Sequence, residues 1–267
     1  MKFPDLIQAV NCAIEQEKVT YWPLFGDDGS LIRSNYVTAS EIGGCERKIK
    51  LDKLADKEKK PYTKTKPSDD WGRWERGHNV EGWFINKITS VYNNSTLKFT
   101  GSNQRSFVAD HQAGTPDGVF IHDDGIIVLD VKSFHPNSNT SNFPKVAHVD
   151  QIMQNLDLVS HNMSVSPIGG LLVYINCDNY KDMHLHTVEW DEEHANRLMA
   201  RAERILTTDP KQLEPEGMIA GGCNYCNHTT TCAKLNMEGK QNEKLKRNAE
   251  AAAKLFGQRA AFNARKG

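Results

Sequence analysis

Residues 114–134 read GTPDGVFIHDDGIIVLDVKSF. Two apolar runs flank His122-Asp123-Asp124-Gly125, and an Asp-Gly step between such runs is a hairpin signal. Side chains on a strand alternate faces with a period of two, so Asp130 and Lys132 point one way and Val131 the other. Asp117 opens the preceding strand and comes close to Asp130 across the hairpin. Two carboxylates and an ammonium then meet at one edge of a sheet. Two acids at that range bind a hard divalent cation such as Mg²⁺ through oxygen. A bound cation lowers the pKa of a water and offsets charge building on a phosphate. The competing reading is a structural salt bridge at a strand end, because Asp-x-Lys is a common tripeptide. Against it stands the run Ile126 to Leu129, which buries the strand and makes an unpaired acid at its end costly.

Outward from the hairpin, residues 145–162 have helical periodicity and carry Gln151. IGGLLVYINCD and MHLHTVEW read as two more strands, and Asp191 opens a helix over DEEHANRLMARAERIL. Upstream, LKFTGSNQRSFV reads as a strand, and 71–92 as a long helix with Trp74, Val80, Phe84, Ile88 and Val91 near one face. Ser40 is a candidate N-cap for a helix within 37–54. A short helix over 4–18, a charged loop over 55–70 and a basic C-terminal helix from about 242 complete the pattern. The class is α/β, a mixed sheet flanked by helices. Three regions are expected: 1–70 helical, 71–210 the core, and 211–267 with the cysteine cluster and basic helix, integrated into one domain.

The chain has 267 residues, 38% hydrophobic and 25% charged, with a formal net charge of −1. A nucleic-acid contact must therefore come from a local patch and not from a global field. No apolar window approaches the length of a membrane span, and the acidic start MKFPDLIQAV does not read as a signal peptide. A cytoplasmic, reducing location is the expectation. Of the six cysteines, Cys223, Cys226 and Cys232 cluster as C-x2-C-x5-C, whereas Cys12, Cys45 and Cys177 stand alone. Three close thiolates ask for a fourth ligand, and such sites suit Zn²⁺ or an iron–sulfur cluster. His228 is the local candidate and Cys45 the distant one. Cys12 and Cys177 read as buried thiols.

Pro116-Asp117 followed by Asp130-Val131-Lys132 resembles the PD-(D/E)XK nuclease superfamily. Arg76-Gly77 ahead of Glu81 on a helix, with Gln151 downstream, resembles its RecB-like branch and the phage lambda-type exonucleases. The resemblance implies a restriction-endonuclease-like core in which Glu81, Asp117 and Asp130 hold Mg²⁺ or Mn²⁺. It gives Lys132 and Gln151 roles beside them, with His78 an offset alternative to Glu81. Asn155 stands where that branch carries tyrosine, which leaves Gln154 open against Gln151. One cysteine before the core and C-x2-C-x5-C after it resembles the iron–sulfur nucleases among CRISPR-associated RecB-like exonucleases and AddB. That implies a [4Fe–4S] cluster on Cys45, Cys223, Cys226 and Cys232 within a helical cap, with Zn²⁺ in the same thiolates as the alternative.

For DNA, Arg47, Lys48 and Lys50 gather charge, and Trp71, Arg73, Trp74 and Arg76 interleave aromatics with cations, a pattern that stacks bases and tracks phosphates. The plain alternative is an amphipathic helix burying its tryptophans. The expected activity is a metal-dependent DNA exonuclease acting on single strands or free ends in recombination or end processing. A restriction-type or structure-specific endonuclease and a non-cutting DNA-binding adaptor are the rivals. A homo-oligomer or a recombination partner stays open.

Overall fold

The 114–134 stretch folds as the hairpin its sequence predicts, and in the computed structural model of the chain that hairpin occupies the middle of the larger sheet. The structure describes residues 33–58, 67–91, 96–216, 223 and 226–237, with side chains of the long helix described from residue 75 onward. In the larger sheet β2 (Leu97–Lys98), β5 (Gly118–His122), β6 (Gly125–Phe134), β7 (Pro167–Asn176) and β8 (Met183–Glu189) lie side by side in that order. β6 and β7 run parallel while the other neighbours are antiparallel, so the sheet is mixed. A smaller sheet has β4 (Gln112–Gly114) between β1 (Val37–Thr38) and β3 (Phe107–Ala109). The helices are α1 (Glu46–Lys57), α2 (Pro67–Val91), α3 (Val146–Met163) and α4 (Glu192–Thr207), and residues 229–237 are also helical.

β6 is apolar almost without interruption because helices cover both of its faces, as expected where strands pair in parallel. Ile126, Val128 and Phe134 pack with Ile152, Leu156 and Val159 of α3. Leu129 and Val131 turn the other way, onto Val80 and Ile85 of α2. Burying each such side chain contributes roughly 1.5–3 kcal/mol. By the same alternation, Asp130 and Lys132 fall on the α3 side. β6 also outruns β5, whose pairing with it stops at Gly118 opposite Leu129. Among the described residues the edge of β6 beyond Leu129 therefore has no strand partner on that side, and this notch is where the polar side chains gather.

Several local expectations give way. The strand expected over 97–108 splits into β2 and β3, in different sheets, because Phe99 (φ 58°) and Gly101 (φ 53°) take left-handed backbone that a strand excludes. β4 carries no alternating apolar signal, being a single alanine between Gln112 and Gly114. The helix expected to be capped by Ser40 begins at Glu46 with Cys45 in the cap position, after a turn closed by the Gly44 N–H donating to Glu41 O at 2.7 Å. α2 starts at Pro67, where a missing N–H costs nothing, so part of the expected 55–70 loop is helical. Its inner face uses Val80 and Ile85, whereas Val91 is 77% exposed. Cys177 is partly exposed and not buried. Asp191 caps α4 as expected, accepting the His194 N–H at 3.0 Å. The helices expected at 4–18 and from 242, Cys12, and the side chains of Trp71, Arg73 and Trp74 lie outside the described residues.

Candidate active site and cysteine cavity

Where β5 ends, Asp117 takes over as a side chain the role a strand would play. Its N–H donates to Leu129 O at 3.1 Å, and its Oδ2 accepts the Val131 N–H at 2.6 Å. The register therefore sets Asp117 opposite Asp130. Lys132, two residues on and on the same face, brings Nζ to 3.0 Å from Asp130 Oδ1 and 2.8 Å from Oδ2. From α3, Gln151 donates its Nε2 to Asp130 Oδ1 at 2.8 Å. From α2, Glu81 reaches the same notch, joined to the hairpin by Gln104: its Nε2 lies 2.9 Å from Glu81 Oε1 and 3.4 Å from Asp117 Oδ1. The two acids of the hairpin, the lysine, Glu81 and Gln151, far apart in sequence, are thus brought to one place.

The charges in the notch do not balance. Burial pushes the Asp117 carboxyl well above the usual range, and the neighbouring Asp130 and Glu81 push it the same way. Burial also raises Asp130, which is 1% exposed, against the pull of Lys132. Glu81 is raised by burial too, against the pull of His78 and Gln104. Burial acts to lower Lys132, but Asp130, Asp117 and Glu81 outweigh it and hold the ammonium charged. Three carboxylates facing one ammonium suit a divalent cation. Asp130 Oδ2 is buried and meets Lys132 Nζ at 2.8 Å, so the ammonium occupies the side of the carboxylate from which a cation would approach. Among the described residues no group of three His, Cys, Asp or Glu side chains is already closed around a single-ion position. Here the acids are tied instead to Val131, Gln104, Lys132 and Gln151.

Gln154 does other work: buried, it donates to Val37 O at 2.9 Å and Ala113 O at 3.1 Å, tying α3 to the smaller sheet. Asn155 is buried beside Gly114, and neither its amide oxygen nor its nitrogen has a hydrogen-bond partner among the described residues. Gln104 is the residue the sequence did not mark. It sits in the polar stretch GSNQR with no motif around it, and only the path of the chain between β2 and β3 delivers it. His78 and Arg76 are exposed on α2.

A second constellation lies at the start of α1. Cys45, Cys223, Cys226 and Cys232 line one cavity of ≈ 680 Å³. Desolvation raises the Cys223 thiol, and so does the proximity of Cys226, Cys232 and Cys45, so the four sulfurs sense one another. Arg47, expected on a DNA-facing surface, is 5% exposed and turns its guanidinium into this cavity. Lys48 pairs with Asp52 at 2.6 Å, and Lys50 donates to Leu206 O at 2.6 Å. Asp52 also holds His228 by its Nε2 at 2.7 Å. The loop carrying Cys45 is fastened by Arg201, which donates to Ile42 O at 3.0 Å and Gly44 O at 2.7 Å and pairs with Glu216.

No protein-family model and no curated protein matches the chain. Among solved structures the chain is similar to SSO0001, at 16% identity and a TM-score of 0.49, over 84% of this chain and 96% of that one. It is also similar to an alkaline exonuclease, LHK-Exo, from Laribacter hongkongensis, at 14% identity and a TM-score of 0.47, over 82% and 96% of the two chains. The same exonuclease in complex with dAMP gives 15% identity and a TM-score of 0.46, again over 82% and 96%. Among the described residues no helix is long and apolar enough to cross a membrane.

Proposed function

We propose that the chain is a metal-dependent deoxyribonuclease of the PD-(D/E)XK type, RecB-like, hydrolysing DNA from single-stranded or free ends. One observation carries this: Asp117 stands opposite Asp130 at the point where β5 leaves β6, with Lys132 on Asp130. Asp117, Asp130 and Glu81 are the residues that hold Mg²⁺ or Mn²⁺. Bound there, the ion supplies an activated water and offsets charge on the scissile phosphate. Lys132, paired with Asp130 at the same edge, is placed to donate hydrogen bonds to the attacking water and to a phosphate oxygen. Gln151 and Gln104 fix the rotamers of Asp130 and Glu81, so these acids need little reorganisation when DNA arrives.

The four cysteines are read as the ligands of a [4Fe–4S] cluster that fastens α1 to the C-terminal segment. Their sharing of one cavity supports a single metal group held by all four thiolates. Incubation with Mn²⁺ and linear or circular single-stranded DNA tests the activity. An exonuclease degrades only the linear form, loss of the circle makes the chain an endonuclease, and no cutting of any DNA refutes the nuclease assignment. Purified protein that is brown and carries iron supports the cluster; a colourless chain with stoichiometric zinc replaces it.

A further inference from the structure

Arg47 presents a problem that neither the acids of the notch nor DNA resolves. Its guanidinium is buried, yet among the described residues every partner it has is neutral. Nε donates to Leu213 O at 2.7 Å, and one terminal nitrogen donates to Asn236 Oδ1. The same nitrogen lies 3.5 Å from Cys232 Sγ. The nearby acids are committed elsewhere. Glu46 pairs with Arg201 at 2.9 Å and with Arg204, Glu216 pairs with Arg201, and Asp52 pairs with Lys48 and His228. A buried charge left without a counter-ion is costly, and natural chains do not carry one idly. Among the described residues, the groups facing Arg47 that become negative on binding a metal are the four thiols whose cavity it helps to line.

We infer that Arg47 is the built-in counter-cation of a thiolate-ligated group held by Cys45, Cys223, Cys226 and Cys232, and a hydrogen-bond donor to the Cys232 sulfur. This rests on the cysteine part of the proposed function. Four deprotonated cysteines around either a [4Fe–4S] core or Zn²⁺ leave the centre net negative, so the same cation serves both. A guanidinium suits the place because it keeps its charge when buried and its planar fork serves Leu213, Asn236 and Cys232 together. Without the metal group, nothing among the described residues that touches Arg47 offsets its charge. Binding of the group and burial of Arg47 are therefore coupled, and Arg47 belongs to the cofactor site instead of the DNA path.

The test compares wild type with Arg47→Met and Arg47→Lys, all purified anaerobically and checked for folding by circular dichroism. Iron per chain, the rate of bleaching under a chelator and the reduction potential are the readouts, none of them requiring nuclease activity. Arg47→Met should lose iron roughly tenfold faster or more, the usual scale for removing an outer-shell partner. Its potential should move to more negative values, because a cation and a donor to sulfur are gone; Arg47→Lys should fall between. If Arg47→Met fails to fold, Arg47→Lys decides alone: a faster iron loss and a lowered potential support the role. Iron loss and potential equal to wild type, in whichever folded variant is available, overturn it. A wild type that holds zinc in place of iron removes the cluster assignment but not the role of Arg47, which is then read from zinc release. A wild type that takes up neither metal overturns both.

Discussion

Asp130→Asn separates folding from metal binding. The substitution keeps the size of a side chain that is 1% exposed, and it leaves an oxygen to accept from Gln151. What disappears is the negative charge facing Lys132. Orphaning a fully buried partner costs about 3–5 kcal/mol, but Lys132 keeps Asp117 and Glu81 as neighbours and its side chain is 24% exposed. Removing Asp130 also relieves Asp117, whose carboxyl its charge pushes up. The two effects oppose, so the metal-free variant should lie within about 1–2 kcal/mol of wild type, the scale of one hydrogen bond. Wild type at a metal concentration of about 100 times Kd gains about 2.7 kcal/mol. For a chain of this size that is roughly 5–10 °C in Tm. Asp130→Asn should lose that gain and all cutting. The assay is thermal unfolding of chelated and Mn²⁺-loaded proteins, paired with degradation of linear DNA. A variant that keeps both the Mn²⁺ shift and the cutting refutes the placement of the ion between Asp117 and Asp130.

Three further outcomes follow from the same geometry. In chelator, Asp117 and Asp130 hold protons more tightly folded than unfolded, because their folded pKa values are raised; the stability they contribute is full below about pH 4 and is lost as pH rises through the raised values. Denaturant titrations from about pH 4 to about pH 8 should show that decline in wild type, less of it in Asp117→Asn, and its reversal by Mn²⁺. Gln104→Ala frees Glu81 and should cost about tenfold or more in activity or metal affinity, read as a rise in the Mn²⁺ concentration for half-maximal cutting with little change in Tm. Gly114→Ala would put a Cβ 2.1 Å from Asn155 Oδ1 and 3.0 Å from Leu158, costing about 1–3 kcal/mol; Asn155→Ala, which removes an amide without partners among the described residues, should rescue most of that in the double mutant.

Some of this architecture was legible one residue at a time. The β5–β6 hairpin, α3, β7, β8 and the Asp191 cap follow from local signals: an Asp-Gly step, apolar period, a capping carboxylate. The register that opposes Asp117 and Asp130 follows once the hairpin is accepted, since the two-residue loop fixes every pair beyond it. Other features were not local. β4 is three residues with no apolar alternation and exists because β1 and β3 flank it and Gln154 of α3 bonds across the pair. The break between β2 and β3 is a matter of backbone sign at Phe99 and Gly101. Arg47 read as surface charge because a sequence shows the basic side chain and not the cavity it turns into.

Covalent order and side-chain alternation, then, were enough to set which atoms of the hairpin stand together, because a strand's period and a tight loop leave one geometry. Folding in three dimensions decided that Gln104, from the stretch between β2 and β3, joins Glu81 of α2 and Gln151 of α3 at the edge of β6. It also decided that Arg47 points at sulfur and not at solvent. The first depends on how α2 and α3 bury their apolar faces against opposite sides of one sheet, the second on how α1 sets Arg47 against Leu213 and Asn236. That packing is a property of the whole chain's surface, and no stretch of it carries the information by itself.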